Sequence, residues 1–433
     1  MGATVLGAAL AACQAPGEPP VETPPLAGMP TDDPHDGVLY LTDPAYRRAE
    51  LAASLVDPSD GYAELRLASY GLAWEELPVW SPRVAPVTTA DLGSPDLEAP
   101  LGAGAHALAV DAAASAGDTA ALLALGREAF SSYPVQLLTG ADVALASAKA
   151  ASSYGFVTDP ATGHVGGLVR AGMADGSSRV ALTCASCHAG LRGGALVAGV
   201  PNDALDLGKL LVAAGGIPPS LVAATLAWGP GRVDVSSVDA SEPARIPDLR
   251  PVRFLGYLQQ DATVRQRSIA SLAIRLETLI VTSHNEDVRP PREVALGLAV
   301  AVWALAGELP LVPSAEEAPG LAVMERACAS CHAPDTFTGA PVPLAVVGTD
   351  PTLGLSPERG TGFYRVPSLR GAGSRGPLLH DASAPDLTTF FDPARVDAGF
   401  TGGRSGGPIP GHPFNLALSG SDRAAVLALL KGL

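Results

Sequence analysis

Four of the five cysteines lie in two copies of one hexapeptide, Cys-Ala-Ser-Cys-His-Ala, at residues 184–189 and 328–333. Two thiols one helical turn apart can add to the two vinyl groups of a porphyrin, and the adjacent imidazole then sits under the iron. C-x-x-C-H is therefore the signature of c-type heme attachment. Cys184, Cys187, Cys328 and Cys331 become the candidate thioether residues, and His188 and His332 the candidate proximal ligands of two covalent hemes c. A zinc ribbon places its cysteine pairs roughly 15–20 residues apart, whereas these pairs are separated by well over a hundred. A thioredoxin-like dithiol needs a βαβ setting, and neither alternative requires His directly after both pairs.

An iron carried this way either takes a sixth ligand or stays open to small molecules. Downstream of the second motif only His380 and His412 are available, and no Met follows Met324. His412 lies in a Gly-Pro-rich loop able to fold over a porphyrin, either as distal ligand or as a partner of a propionate. His380 is the second distal candidate, with a hydrogen-bonding role as its plainer reading. For the first iron, His164, Met173 and His284 are candidates, unless that site is open. His284 follows an expected helix, where a histidine is more often a cap. Trp228 reads as core packing, or as a residue lying between the hemes.

The elements that must position these groups read as helices. Apolar spacing predicts them over 119–131, 207–214, 268–281, 292–306 and 316–329, with a last one starting at Ser419-Gly-Ser-Asp422. Trp228-Gly-Pro-Gly-Arg-Val-Asp234 reads as a turn, and Pro310 and Pro313 as a boundary. A helix before each motif and one at the domain end resemble the cytochrome c fold. The expected architecture is mainly α: two cytochrome c-like heme domains at 116–310 and 311–433, behind an N-terminal cap at 31–115 of unclear fold.

The chain carries a formal charge of −16, and only three of its 28 basic residues are Lys. Such a surface disfavours nucleic acid and suits a basic redox partner, although it equally serves solubility. The longest apolar stretch, 294–307, is too short to span a bilayer. Near the start, Leu10-Ala-Ala-Cys13 resembles a bacterial lipobox, and the Pro- and Glu-rich stretch 14–30 reads as a tether. No Lys or Arg precedes Cys13, which departs from a signal peptide. The expectation is an exported protein on the periplasmic side, touching the membrane only through a lipid anchor.

Val366-Pro-Ser-Leu-Arg370 followed by Leu378-Leu-His-Asp381 resembles the bacterial di-heme cytochrome c peroxidase superfamily. Gly411-His-Pro-Phe414, ahead of a Leu-rich terminal helix, is closer to the heme-dependent rubber oxygenases and favours His412 as a ligand. The likeness covers residues 115–433, sharply at the end and only in outline before it. Where the peroxidases carry a Met (or Tyr) ligand, this chain has Ala394 or Arg395, and Ala382 replaces the family's Gly. The resemblance implies an exported redox enzyme in which the second heme relays electrons to a reactive first heme. Peroxide or dioxygen would be the oxidant, and a small cytochrome or cupredoxin the redox partner. A non-catalytic di-heme electron carrier and an oxygenase of an organic substrate are the alternatives.

Overall fold

The computed structural model describes residues 30–68, 74–93, 96–234, 243–285, 287–309, 317–404 and 406–433. Cys13 and its tether, and the Pro310–Pro313 boundary, lie outside the described residues. The expectation of a mainly α protein built from two cytochrome c-like domains is not met. Helix accounts for 41% and strand for 13%, and the strands form several small antiparallel sheets in an α/β mixture. The reason lies largely in the segment before the first motif. His164–Gly172 buries its Val and Leu side chains as a strand rather than as a helix.

The described residues open with α1 (Pro34–Thr42) and α2 (Pro44–Ser54), capped by Asp33 and Asp43 with Pro as first helical residue, where its missing N–H costs nothing. Next come β1 (Val84–Thr88) and α3 (Thr119–Ser132), whose cap Asp118 accepts from Ala121 N at 2.8 Å. Strands β2 (Gln136–Leu137), β3 (His164–Gly172) and β4 (Ser178–Leu182) join β1 in one antiparallel sheet, ordered β1-β3-β4-β2. The first motif is itself a short helix, α4 (Cys184–His188), and runs directly into the hairpin β5 (Ala189–Arg192) and β6 (Ala195–Ala198).

Two long helices follow, α5 (Ile269–Ser283) with a Ser268–Ser271 capping box, and α6 (Arg292–Ala304). Helix α7 (Ala318–Ala327) leads into the second motif, and α8 (Gly420–Gly432), capped by Ser419, closes the chain. The helices expected from apolar spacing are thus present, with ends shifted by a few residues; Leu207–Ala213 is helical as well.

Helices α3 and α6 cross so closely that a Cβ on Gly126 would lie 1.8 Å from the carbonyl oxygen of Gly297. Helices α7 and α8 repeat the arrangement, with Gly320 against Ala425 and Leu429. Tyr40, Leu51 and Trp74 pack into the same apolar core as Leu122, Leu125, Ile274, Leu298 and Trp303. The N-terminal segment is therefore part of the core of the first unit. Within that core Glu277 is fully buried, accepting hydrogen bonds from Tyr40 Oη and from Trp74 Nε1 (2.7 Å).

Between the two helix crossings the chain repeats itself. Residues 245–262 and 365–382 share the pattern Arg-x-Pro-x-Leu-Arg-x5-Gly-x-Leu-x2-Asp-Ala. The backbone repeats with it. Gln259 and Leu379 have φ of 67° and 69°, and Ala262 and Ala382 have φ of 59° and 61°. The bridge Leu258–Val264 is matched by Leu378–Ala384. The two copies also clasp each other: Arg245 N donates to His380 O at 2.8 Å, and Arg365 N to Gln260 O at 2.9 Å. Those bonds exchange equivalent positions, as a local pseudo-twofold axis requires.

Candidate cofactor site

Both motif histidines point Nδ1 at a main-chain carbonyl. His188 Nδ1 lies 3.0 Å from Pro247 O, and His332 Nδ1 lies 2.9 Å from Phe337 O. A carbonyl only accepts, so each ring carries its proton on Nδ1 and leaves Nε2 as a lone pair for a metal. Burial pushes the pKa of both rings down to about 4, which keeps them neutral. This is the state an iron ligand needs.

The second motif borders a cavity of about 240 Å³, lined by Cys328, Cys331, His332, His380 and His412 among others. Roughly 10–15 Å³ suffices for a water in that measure, so the space suits a far larger guest. Much of the wall is apolar, from Met324, Val342, Val366, Leu387, Phe391 and Leu430. Across it, the ring centroids of His332 and His412 stand 6.5 Å apart. A metal–imidazole bond is about 2.0–2.1 Å, and the ring centre lies roughly 1.1 Å behind Nε2. Two imidazoles on opposite sides of one iron would therefore have centroids about 6.3 Å apart. Donors, spacing and cavity fit a c-type heme.

The loop that presents His412 is held by Arg395, whose side chain is fully buried. Its guanidinium donates to Ile409 O, to Gly411 O at 2.6 Å and to His412 O at 3.2 Å. Arg395 thus anchors the loop that carries His412. His412 takes a left-handed backbone, with φ of 49°, and its Nδ1 lies 3.4 Å from Asn415 Oδ1. Desolvation lowers its pKa as well. His380 is placed otherwise. Its ring stacks on Tyr364 at 4.3 Å, and its Nε2 is engaged by the Tyr364 hydroxyl at 3.2 Å.

At the first motif the donors are arranged in the same way, but the surroundings are packed. Thr183 and Ser186 fasten α4 to the carbonyl of Gly167 on β3, at 2.7 and 3.0 Å. Cys184 packs against the large core and Cys187 against a second one around Leu168 and Leu205. Burial pushes the two thiols up to about 12 and 11. That is the opposite of an activated dithiol, whose reactive thiol is lowered. Cys184, Cys187 and His188 are nonetheless only half-buried, so the motif lies at the edge of these cores rather than inside them.

The remaining candidates have surroundings of their own. His164 opens β3 at the surface and Met173 sits in the turn after it. His284 packs edge-on against Trp80 at 4.5 Å, with Nε2 3.4 Å from Pro134 O. Trp228 is buried against Gly208, with its carbonyl accepting from Arg232. Among the described residues, no group of three or more His, Cys, Asp or Glu could hold a bare metal ion, and no helix is long and apolar enough to cross a membrane.

Sequence reasoning passed over Arg245, Pro247, Gln260, Arg365 and Arg375, all of which line the cavity. The 245–262 and 365–382 repeat was the signal that could have found most of them. Comparison of the chain with protein-family models, with curated proteins and with solved structures gave no match.

Proposed function

We propose that the chain is a c-type redox cytochrome that carries a heme bound to Cys328 and Cys331 and ligated by His332 and His412. The single observation that carries this reading is the 6.5 Å between the two rings across an apolar cavity bordered by both cysteines. A covalently held heme supplies a one-electron couple there. The chain's own residues set its terms. Phe337 O fixes the His332 tautomer, Arg395 anchors the His412 loop, and the apolar walls exclude water. Two strong nitrogen ligands leave no position for a substrate on this iron, so its role is to pass electrons. A second heme on Cys184 and Cys187, with His188 beneath it, completes the reading. Redox partners would be small basic cytochromes or cupredoxins, met on the periplasmic side.

A catalytic reading in which the first iron handles peroxide or dioxygen is favoured by the placement of its candidate sixth ligands: His164 is exposed at the start of β3, and the His284 ring packs on Trp80 with Nε2 toward Pro134 O.

His412→Ala should convert one low-spin ferric signal to high-spin in electron paramagnetic resonance, whereas His380→Ala should leave it low-spin. An unchanged spectrum in His412→Ala, with heme still bound, would overturn the ligand assignment.

A further inference from the structure

The polar edge of the cavity is cationic and underpaired. Arg245 is 7% exposed, and the side chain of Arg375 equally so. Both line the cavity. Nε and Nη2 of Arg245 and Nε of Arg375 are buried without a hydrogen-bond partner. Arg375 Nη2 is spent on the carbonyls of Ser368 and Arg370. Arg365 completes the edge, with Nε donating to Gln259 O at 3.0 Å.

The charges do not balance. Four guanidiniums, Arg245, Arg250, Arg365 and Arg375, stand against three carboxylates: Asp203 faces Arg245, Asp261 faces Arg365, and Asp248 faces both Arg245 and Arg375. Asp203 is shared with Arg192 at 3.4 Å, and Asp261 with Arg359 at 3.4 Å. Asp248 is itself largely taken by Arg250, whose Nη2 lies 2.6 Å from its Oδ2. It stands 3.8 Å from Arg375 Nε. A buried guanidinium whose carboxylates are shared with other arginines is under-compensated, and its planar fork matches a further carboxylate. The missing partner is therefore an anion on the guest of the cavity, at the edge away from the apolar walls.

We propose that Arg245 and Arg375 clasp the carboxylates of the heme held between His332 and His412. This rests on the heme reading above. Arg245 belongs to the first copy of the repeat, and His332 and His412 to the second half of the chain. The C-terminal half alone therefore does not complete the site. Two residues after Arg245, Pro247 accepts the hydrogen bond from His188. The segment that would hold the carboxylates of one cofactor thus also fixes the tautomer of the other motif's histidine.

The test uses full-length holoprotein carrying Arg245→Gln, Arg375→Gln or both. Pyridine hemochrome counts the hemes, spectroelectrochemistry reads the potential of the bis-histidine couple, and resonance Raman reads the heme-propionate bending band. Removing a positive charge beside the carboxylates favours ferric iron. Each variant should keep its heme, yet shift the ferrous-to-ferric ratio at fixed potential at least tenfold toward ferric, about 59 mV for one electron, and move the propionate band. Arg375→Lys, which keeps the charge, should restore the potential while leaving the band displaced. An unchanged potential and band in the double variant, with heme intact, overturns the clasp and spares the heme reading. A wild-type protein with no heme on Cys328 and Cys331 overturns both. A wild-type potential that responds to added succinate as strongly as to the arginine changes would mean that the edge takes free dicarboxylates, and would overturn the clasp.

Discussion

The hexapeptides at 184–189 and 328–333 are identical, yet the chain places them in opposite surroundings. The first is a helix wedged between a β-sheet and a hairpin, with Ala185 and Ser186 buried and both cysteines half-buried against apolar cores. The second follows the end of α7, with Ser330 exposed and a cavity on its inner side. What the two share is the part that chemistry dictates: thiol spacing, a neutral imidazole, and a carbonyl on Nδ1. What differs is everything supplied from afar. The motif thus fixes local donor geometry, while its surroundings are set by segments tens of residues away, such as Pro247 for the first copy and His412 for the second.

The comparison breaks or sharpens most sharply on cofactor content. Replacing Cys328 and Cys331 by Ser should take the holoprotein from two hemes to one by pyridine hemochrome, and remove the bis-histidine low-spin signal. Replacing Cys184 and Cys187 instead should also remove one heme, but leave that low-spin signal in place. Carbon monoxide binding to the reduced protein should disappear with the first motif only. If the wild type holds a single heme, the packed surroundings of α4 describe its working state, and the first motif carries no cofactor.

Much of this contrast was hidden in the sequence for a physical reason. Helices α3, α5, α6, α7 and α8 announce themselves because an apolar stripe every three to four residues and a Ser or Asp cap are local signals. The strand at 164–172 was missed because its Gly166-Gly167 pair interrupts the alternation that marks a strand. His412 was legible as a ligand candidate by elimination, since few donors follow the second motif. Arg395 was legible only as the wrong residue for a ligand. Its role in anchoring the His412 loop depends on carbonyls 14 to 17 residues away, at Ile409, Gly411 and His412. The clasp between the 245–262 and 365–382 copies is a contact between distant segments, which no local pattern reports.

The next contrast lies in buried charge. Guanidiniums from both halves of the chain are buried beside the cavity, whereas the larger core buries a carboxyl. Burial raises the pKa of Glu277 to about 7 against an ordinary 4.5, despite hydrogen bonds from Tyr40 and Trp74 and the nearby Arg292, 3.9 Å away. A carboxyl raised on folding contributes its stability in full below its unfolded pKa, and loses it as pH rises through the folded value. The protein should therefore become less stable between about pH 4.5 and 7, by on the order of 3 kcal/mol from this group alone. Glu277→Gln should flatten that slope in urea denaturation followed at several pH values. An identical slope in the variant would assign the pH dependence elsewhere.

The smallest effect separates the two helix crossings. At α3 and α6 an added Cβ on Gly126 would meet backbone, the Gly297 carbonyl oxygen at 1.8 Å. At α7 and α8 the same change on Gly320 meets the Ala425 carbonyl oxygen at 2.5 Å and the Leu429 Cβ at 2.6 Å. Both contacts are too short to keep, so each helix pair must separate. Overpacking of this kind costs about 1–3 kcal/mol, while Gly→Ala inside a helix returns about 1 kcal/mol. Helices α3 and α6 sit in the middle of the larger core, joined there by α5 and the N-terminal helices. Separating them strains many contacts, whereas α8 ends the chain and can shift outward. Gly126→Ala should therefore destabilise by about 1–2 kcal/mol more than Gly320→Ala in chemical denaturation. Equal losses would mean that the two crossings are mechanically alike, and that the repeat extends from the 245–262 and 365–382 segments to the helices that frame them.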